Sequence, residues 1–218
     1  MEVASRLFAA GGIVMWPLLG FSILALALVL ERLVFWVRVN TRQPEIVQET
    51  LSLYERSPRS AVILLKQNSH FPLARIFLSA LELDQPNPEE FRLALETAAQ
   101  AELPLIKRFN TVFETIISLS PLLGLLGTVL GLITSLANLR LGDLGGTQSA
   151  AVTAGIGEAL ISTAAGLVVA MATLLFANTF RGLYQRQIAL IQEYGGQLEL
   201  IYRHAYEKGG INAAQRGE

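Results

Sequence analysis

Three long apolar runs separated by polar segments organise this chain. The first covers residues 13–37. Its core, residues 13–30, is uninterrupted, and Trp16 and Trp36 stand near its two ends, where interfacial aromatics anchor membrane spans. The second covers residues 111–139, with Asn110 and Glu114 near its start and Arg140 after its end. The third, residues 150–178, reads AAVTAGIGEALISTAAGLVVAMATLLFAN, where Glu158 is the single ionisable residue. Each run meets the requirement of about 20 predominantly apolar residues for crossing a bilayer. A cleaved signal peptide explains the first run poorly, because Glu31, Arg32 and LVFWV follow it in place of a small-residue cleavage site. Arg32 is expected to snorkel to the headgroups. Pro121 inside the second span predicts a kink or wide turn.

Between the first and second spans, residues 38–110 read as helices separated by prolines. Pro44, Pro58, Pro72, Pro86 and Pro88 are expected at or near boundaries. Asn87-Pro88-Glu89-Glu90 is a helix start, with Asn87 as cap and Glu90 three residues on. After the third span, residues 179–218 continue as an amphipathic extension through Leu183, Ile188, Ile191, Leu198 and Ile201. Gly195-Gly196 is its weak point, and the final ten residues are expected to fray. The expected fold is an all-α integral membrane protein: three spans with long helical extensions, a short end at residues 1–12 and a short loop at residues 140–149.

Basic residues orient these elements. Arg38 and Arg42 follow the first span, Lys107 and Arg108 precede the second, and Arg181 and Arg186 follow the third. The loop between the second and third spans holds only Arg140, and the amino end only Arg6. The positive-inside rule then places the amino terminus and short loop outside, and residues 38–110 and the carboxyl end in the cytoplasm.

Composition agrees with a bilayer as solvent. The chain has 218 residues, of which 52% are hydrophobic and 16% charged, against about 25% charged in average soluble domains. A net charge of −1 gives no bulk electrostatic basis for binding nucleic acid. The absence of cysteine excludes disulfides and thiolate chemistry. His70 and His204 stand alone, so neither a metal site nor a cofactor is expected, and no nucleophile–base pair suggests an enzyme.

The chemistry concentrates in the second and third spans. Gly124, Thr128, Gly131 and Ser135 form one small, slightly polar stripe, with Gly127 beside it; Gly155, Ala159, Ser162, Gly166 and Ala170 form another. Such stripes let membrane helices approach closely. A carboxylate at bilayer depth costs about 2.5–3.5 kcal/mol on insertion scales, so Glu158 needs a partner, a proton or a polar path. Glu158, Ser162, Thr163 and Thr128 could together hydrate a narrow pathway or share a proton. Alternatively the threonines bond to their own helix carbonyls, and Glu158 makes a structural bond between helices.

SPLLGLLGTVLGLITS followed by AGIGEALISTAAGLVVAMATLLFANTF resembles the paired signature of the MotA/TolQ/ExbB proton-channel family. Three spans and an outward amino terminus resemble its ExbB/TolQ branch more than the four-span MotA branch. The resemblance implies a homopentamer in the bacterial inner membrane, with the second and third helices around a central pore. The pore would enclose the single spans of a dimeric ExbD- or TolR-like partner, whose aspartate is the main proton carrier. Proton flow into the cytoplasm would drive motion delivered to a TonB- or TolA-like envelope protein, for outer-membrane transport or, in a TolQ-like role, envelope constriction. The family's threonine of the second helix falls on Thr128, and its glutamate and threonine of the third helix on Glu158 and Thr163. Where the family often has proline, this chain reads Met171-Ala172-Thr173, which implies a straighter third helix. A passive membrane scaffold is the rival expectation, and the lone acid speaks against it.

Overall fold

The computed structural model describes residues 8, 10–137 and 146–216, and all regular structure among them is helical. The helices are α1 (Met15–Arg56), α2 (Pro58–Gln67), α3 (Pro72–Leu81), α4 (Pro88–Ile106), α5 (Asn110–Ala137) and α6 (Gly146–Arg216). Three segments are long and apolar enough to cross a membrane, in α1, α5 and α6. At 1.5 Å per residue, the 42 residues of α1 extend about 63 Å and the 71 residues of α6 about 107 Å. Both exceed the hydrocarbon thickness of about 30 Å, so much of each helix lies beyond it.

The chain divides into two compact units. The first comprises Met1–Glu31 and Phe109–Phe180, the second Arg32–Arg108 and Arg181–Glu218. In the first unit, Leu122, Leu125, Val168 and Leu175 are each more than half exposed. An apolar surface of this kind is stable against lipid or another protein, not against water.

The second unit has its own core, which includes Trp36, Val47, Leu65, Phe71, Phe77, Phe91 and Leu198. Its helices start where prolines stand at the first turn. Pro58, Pro72 and Pro88 open α2, α3 and α4, positions at which the missing N–H has no intrahelical partner in any case. The Asn87 side chain accepts from the Glu89 and Glu90 amides, and Glu90 returns a bond to the Asn87 amide, a complete capping box. Tyr202 stacks on Phe91 with centroids 4.0 Å apart and donates its hydroxyl to the Pro86 carbonyl. That contact holds the start of α4 against the tail of α6.

Several expectations need correction. Pro44 lies inside α1, not at a boundary. Its missing hydrogen bond does not break the helix because Trp36, Val39, Gln43, Val47 and Leu51 continue one buried seam across it, and that packing offsets the lost bond. Gly195-Gly196 does not interrupt α6, since the buried residues Gln187, Ile191, Tyr194 and Leu198 keep helical spacing through it. The carboxyl end is helical to Arg216. Arg32 does not snorkel: it is buried and donates to the Ile106 carbonyl at 3.2 Å, satisfying a carbonyl left open at the end of α4. The third long helix begins at Gly146, inside the segment expected as a loop. Residues 138–145 of that loop lie outside the described residues, as does most of the amino end, residues 1–7 and 9.

One ion pair inside the second unit has a measurable consequence. Arg75 holds Glu102 through two parallel bonds of 2.6 Å, and the glutamate side chain is only 10% exposed. Donating to the Glu102 carboxylate raises the Arg75 pKa above its ordinary value. Removing one partner of a buried pair costs about 3–5 kcal/mol. With Arg75 partly screened by solvent, Glu102→Ala is expected to cost about 2 kcal/mol, read as a lower thermal midpoint of the purified protein.

Candidate functional site

In the first unit α5 and the early part of α6 meet along two matched seams. The α5 seam is Phe113, Ile116, Ser120, Gly124, Gly127, Gly131 and Ser135. The α6 seam is Gly155, Ala159, Ser162, Gly166, Ala170, Thr173, Ala177 and Phe180, all buried. Steps of three and four residues keep each set on one helical face.

The glycines are there because backbone meets backbone. A Cβ on Gly131 would stand 2.7 Å from the Gly155 carbonyl oxygen, and one on Gly155 2.8 Å from the Gly131 oxygen. A Cβ on Gly166 would stand 2.4 Å from the Ser120 oxygen, and one on Gly124 2.9 Å from Thr163 Cα. A Cβ on Gly127 would stand 2.3 Å from Ser162 Oγ. Reciprocal approaches of Cα to carbonyl oxygen add weak Cα–H···O contacts to the packing. Hydroxyls complete the seam. Ser135 donates to the Val152 carbonyl at 2.7 Å, and Thr163 donates to the Gly124 carbonyl at 3.1 Å.

Ser162 is fully buried in this seam and donates to the Ala159 carbonyl of its own helix at 2.9 Å. An enclosed hydroxyl at this place packs the two helices together. Thr128 is half-buried and donates to the Leu125 carbonyl at 2.6 Å. Its proton is thus taken by its own helix, leaving its oxygen as an acceptor. Ser120, just before Pro121, donates back to the Ile116 carbonyl at 2.7 Å. Pro121 lies within the continuous α5.

Glu158 is half-buried and lies against the chain leading into α1. Its Oε1 occupies the place a Cβ of Gly12 would take, 1.7 Å from that atom's ideal position. Next to it, a Cβ on Gly11 would meet Ile161, and one on Gly127 would meet Val14 at 3.6 Å. The carboxylate is therefore level with the first turn of α1, not with its middle. Among the described residues no hydrogen bond or ion pair engages it.

The four polar residues do not converge on one face. Glu158 and Thr163 are five positions apart, about 140° around the helix. They flank the seam on opposite sides: Glu158 toward the Gly12–Val14 segment, Thr163 toward Gly124. On α5, Gly127 is on the side that Val14 approaches, and Thr128, about 100° further round, is on the side of Thr163. The two threonines thus share a flank and the acid holds the other. Gly12 is the contact that sequence spacing missed. The available signal was the Gly11-Gly12 pair immediately before the first apolar run, which marks a turn and little more.

The family described as the MotA/TolQ/ExbB proton channel family matches residues 68–193, a range that includes α3, α4, both seams and Glu158. A protein of Synechocystis sp. named ExbB-like 3 is 59% identical over 199 residues, covering 91% of this chain and 95% of that protein. ExbB-like 1 of the same organism is 43% identical over 200 residues, covering 91% of this chain and 79% of the relative. The biopolymer transport protein ExbB of Neisseria gonorrhoeae is 42% identical over 77 residues, 34% of each chain. Family match, high identity along nearly the whole chain and three membrane-length helices agree: the chain belongs to the MotA/TolQ/ExbB proton channel family, in its ExbB branch.

Proposed function

We propose that this chain is the channel-forming subunit of a proton-driven motor in the bacterial inner membrane. Five copies form a ring around the spans of a dimeric ExbD/TolR-like partner, and proton flow through the ring drives work on a TonB- or TolA-like envelope protein. The observation that carries this reading is Glu158: a single carboxylate in the apolar part of α6, without a hydrogen-bond or ion-pair partner among the described residues. A purely structural acid would be bonded to a neighbouring helix. An acid left unengaged beside a tightly locked seam is available to take and release protons.

The basic residues beside the spans support an outward amino terminus and cytoplasmic residues 38–110 and 179–218. In that orientation the first turn of α1 is at the outer face, so Glu158 stands at the entrance and receives protons from outside. Thr128 and Thr163, on the opposite flank, present hydroxyl oxygens to the partner's span and its aspartate. The glycine seam holds α5 and α6 as one rigid wall, so that relative motion occurs between ring and partner. No substrate is turned over.

Coexpression with a single-span partner carrying an aspartate near the start of its span tests this directly. The two proteins are expected to copurify, and Thr128→Cys, in a chain without native cysteine, is expected to cross-link to a cysteine in the partner's span. A complex that assembles but passes no proton current in liposomes would make the chain a passive scaffold.

A further inference from the structure

The contact between Gly12 and Glu158 has two features that glycine alone satisfies. Gly12 has φ +72°, in the left-handed region, and Oε1 of Glu158 fills the space of its absent Cβ. Gly12 precedes the first turn of α1, where Met15 bonds back to its carbonyl at 3.2 Å, so its position is set by that helix. Other glycines of the chain show that this is not a general habit. Among the described residues Gly20 and Gly157 have no heavy atom within 4 Å of a built Cβ, so no described neighbour requires glycine there.

We propose that Gly12 is a positioning residue for Glu158: the bare backbone at the entry to α1 seats the carboxylate, and any side chain at position 12 displaces it. This rests on the proposed function for its consequence in proton flow, but the contact stands apart from it. Among the described residues the carboxylate has no polar partner to fix its rotamer, so the shape of the Gly12 turn is what limits where it can go. A glutamate side chain with three χ angles would otherwise sample several staggered wells.

The test separates backbone conformation from contact. Asparagine tolerates positive φ better than other non-glycine residues yet carries a Cβ, so Gly12→Asn keeps the turn and fills the carboxylate's place. In the copurified complex in liposomes, Gly12→Asn is expected to lower proton flux about tenfold, less than the roughly hundredfold that a misplacement of about 1 Å can cost, while Gly20→Ala leaves it unchanged. Glu158→Asp retracts the carboxylate by one methylene, so the double variant Gly12→Asn/Glu158→Asp is expected to pass more current than Gly12→Asn alone. A turn that mattered only for folding would give the same loss whichever acid stood at 158, and absence of rescue overturns the proposal. Thermal midpoints of Gly12→Asn, Glu158→Ala and their combination form a cycle that does not depend on flux. Non-additive midpoints support the contact even if no variant conducts, in which case it is the motor reading that fails; additive midpoints overturn the positioning role. Should Gly12→Asn not accumulate, recovery of assembled complex on adding Glu158→Asp is the same rescue, and failure to recover counts against it.

Discussion

Glu158→Gln is expected to reduce proton flux through the assembled complex by about a hundredfold or more, the lower range for loss of a positioned acid–base group. Glutamine has nearly the same volume and can still hydrogen-bond, so it fits the space against Gly12 without disturbing the seam. What it lacks is an acid group that can release and regain a proton. The oligomer should therefore assemble normally while proton-motive-force-dependent transport in cells, and current in liposomes, are lost. Glu158→Asp should retain part of the flux. Undiminished transport with glutamine at this position would remove the residue from the proton path. It would also leave the apolar third span without a reason for its one acid.

A second large effect is expected from Gly131→Leu. At this position the Cβ alone would stand 2.7 Å from a backbone carbonyl of the facing helix, and leucine adds three further carbons. Backbone cannot rotate away as a flexible side chain can, so α5 and α6 must separate. Separation also forfeits the reciprocal Gly155 approach and the bond from Ser135 to Val152. The cost is about 3 kcal/mol or more, at the upper end of overpacking penalties. Native mass spectrometry should show loss of the intact oligomer, and thermal denaturation a lower midpoint. Gly20→Leu, on an open face of α1, should do neither. An unaltered oligomer with leucine at position 131 would mean that the seam yields more easily than its geometry implies.

The two substitutions test different properties of one wall. Gly131 concerns whether α5 and α6 form a rigid body, and Glu158 concerns what that body does with a proton. A variant that assembles without conducting and one that fails to assemble should be separable by mass spectrometry before any transport is measured.

Much of this arrangement was legible in the chain itself. The spacing of Gly155, Ala159, Ser162 and Gly166 marks one helical face, and all four are buried in the contact with α5. Asn87 and Glu90 announce their capping box by residue type alone, because that motif is closed within four residues. Other features were hidden because they depend on what packs against the helix. Pro44 reads as a break in isolation, and so does Gly195-Gly196. Each is carried by a buried seam whose partners come from distant segments. Arg32 looks like a snorkelling cation until Ile106, 74 residues away, offers its carbonyl.

The site shows the same division. Residue type and order alone determined the three apolar runs, the single acid of the third, and the small-residue stripes, because hydropathy and helical period are local properties of a chain. The placement of Glu158 and the threonines on opposite flanks of the seam, the enclosure of Ser162, and the seating of a carboxylate in the space left by Gly12 were decided only by the tertiary structure. Which side of a helix faces which neighbour depends on how segments distant in sequence pack together, and periodicity within one helix carries no record of that choice.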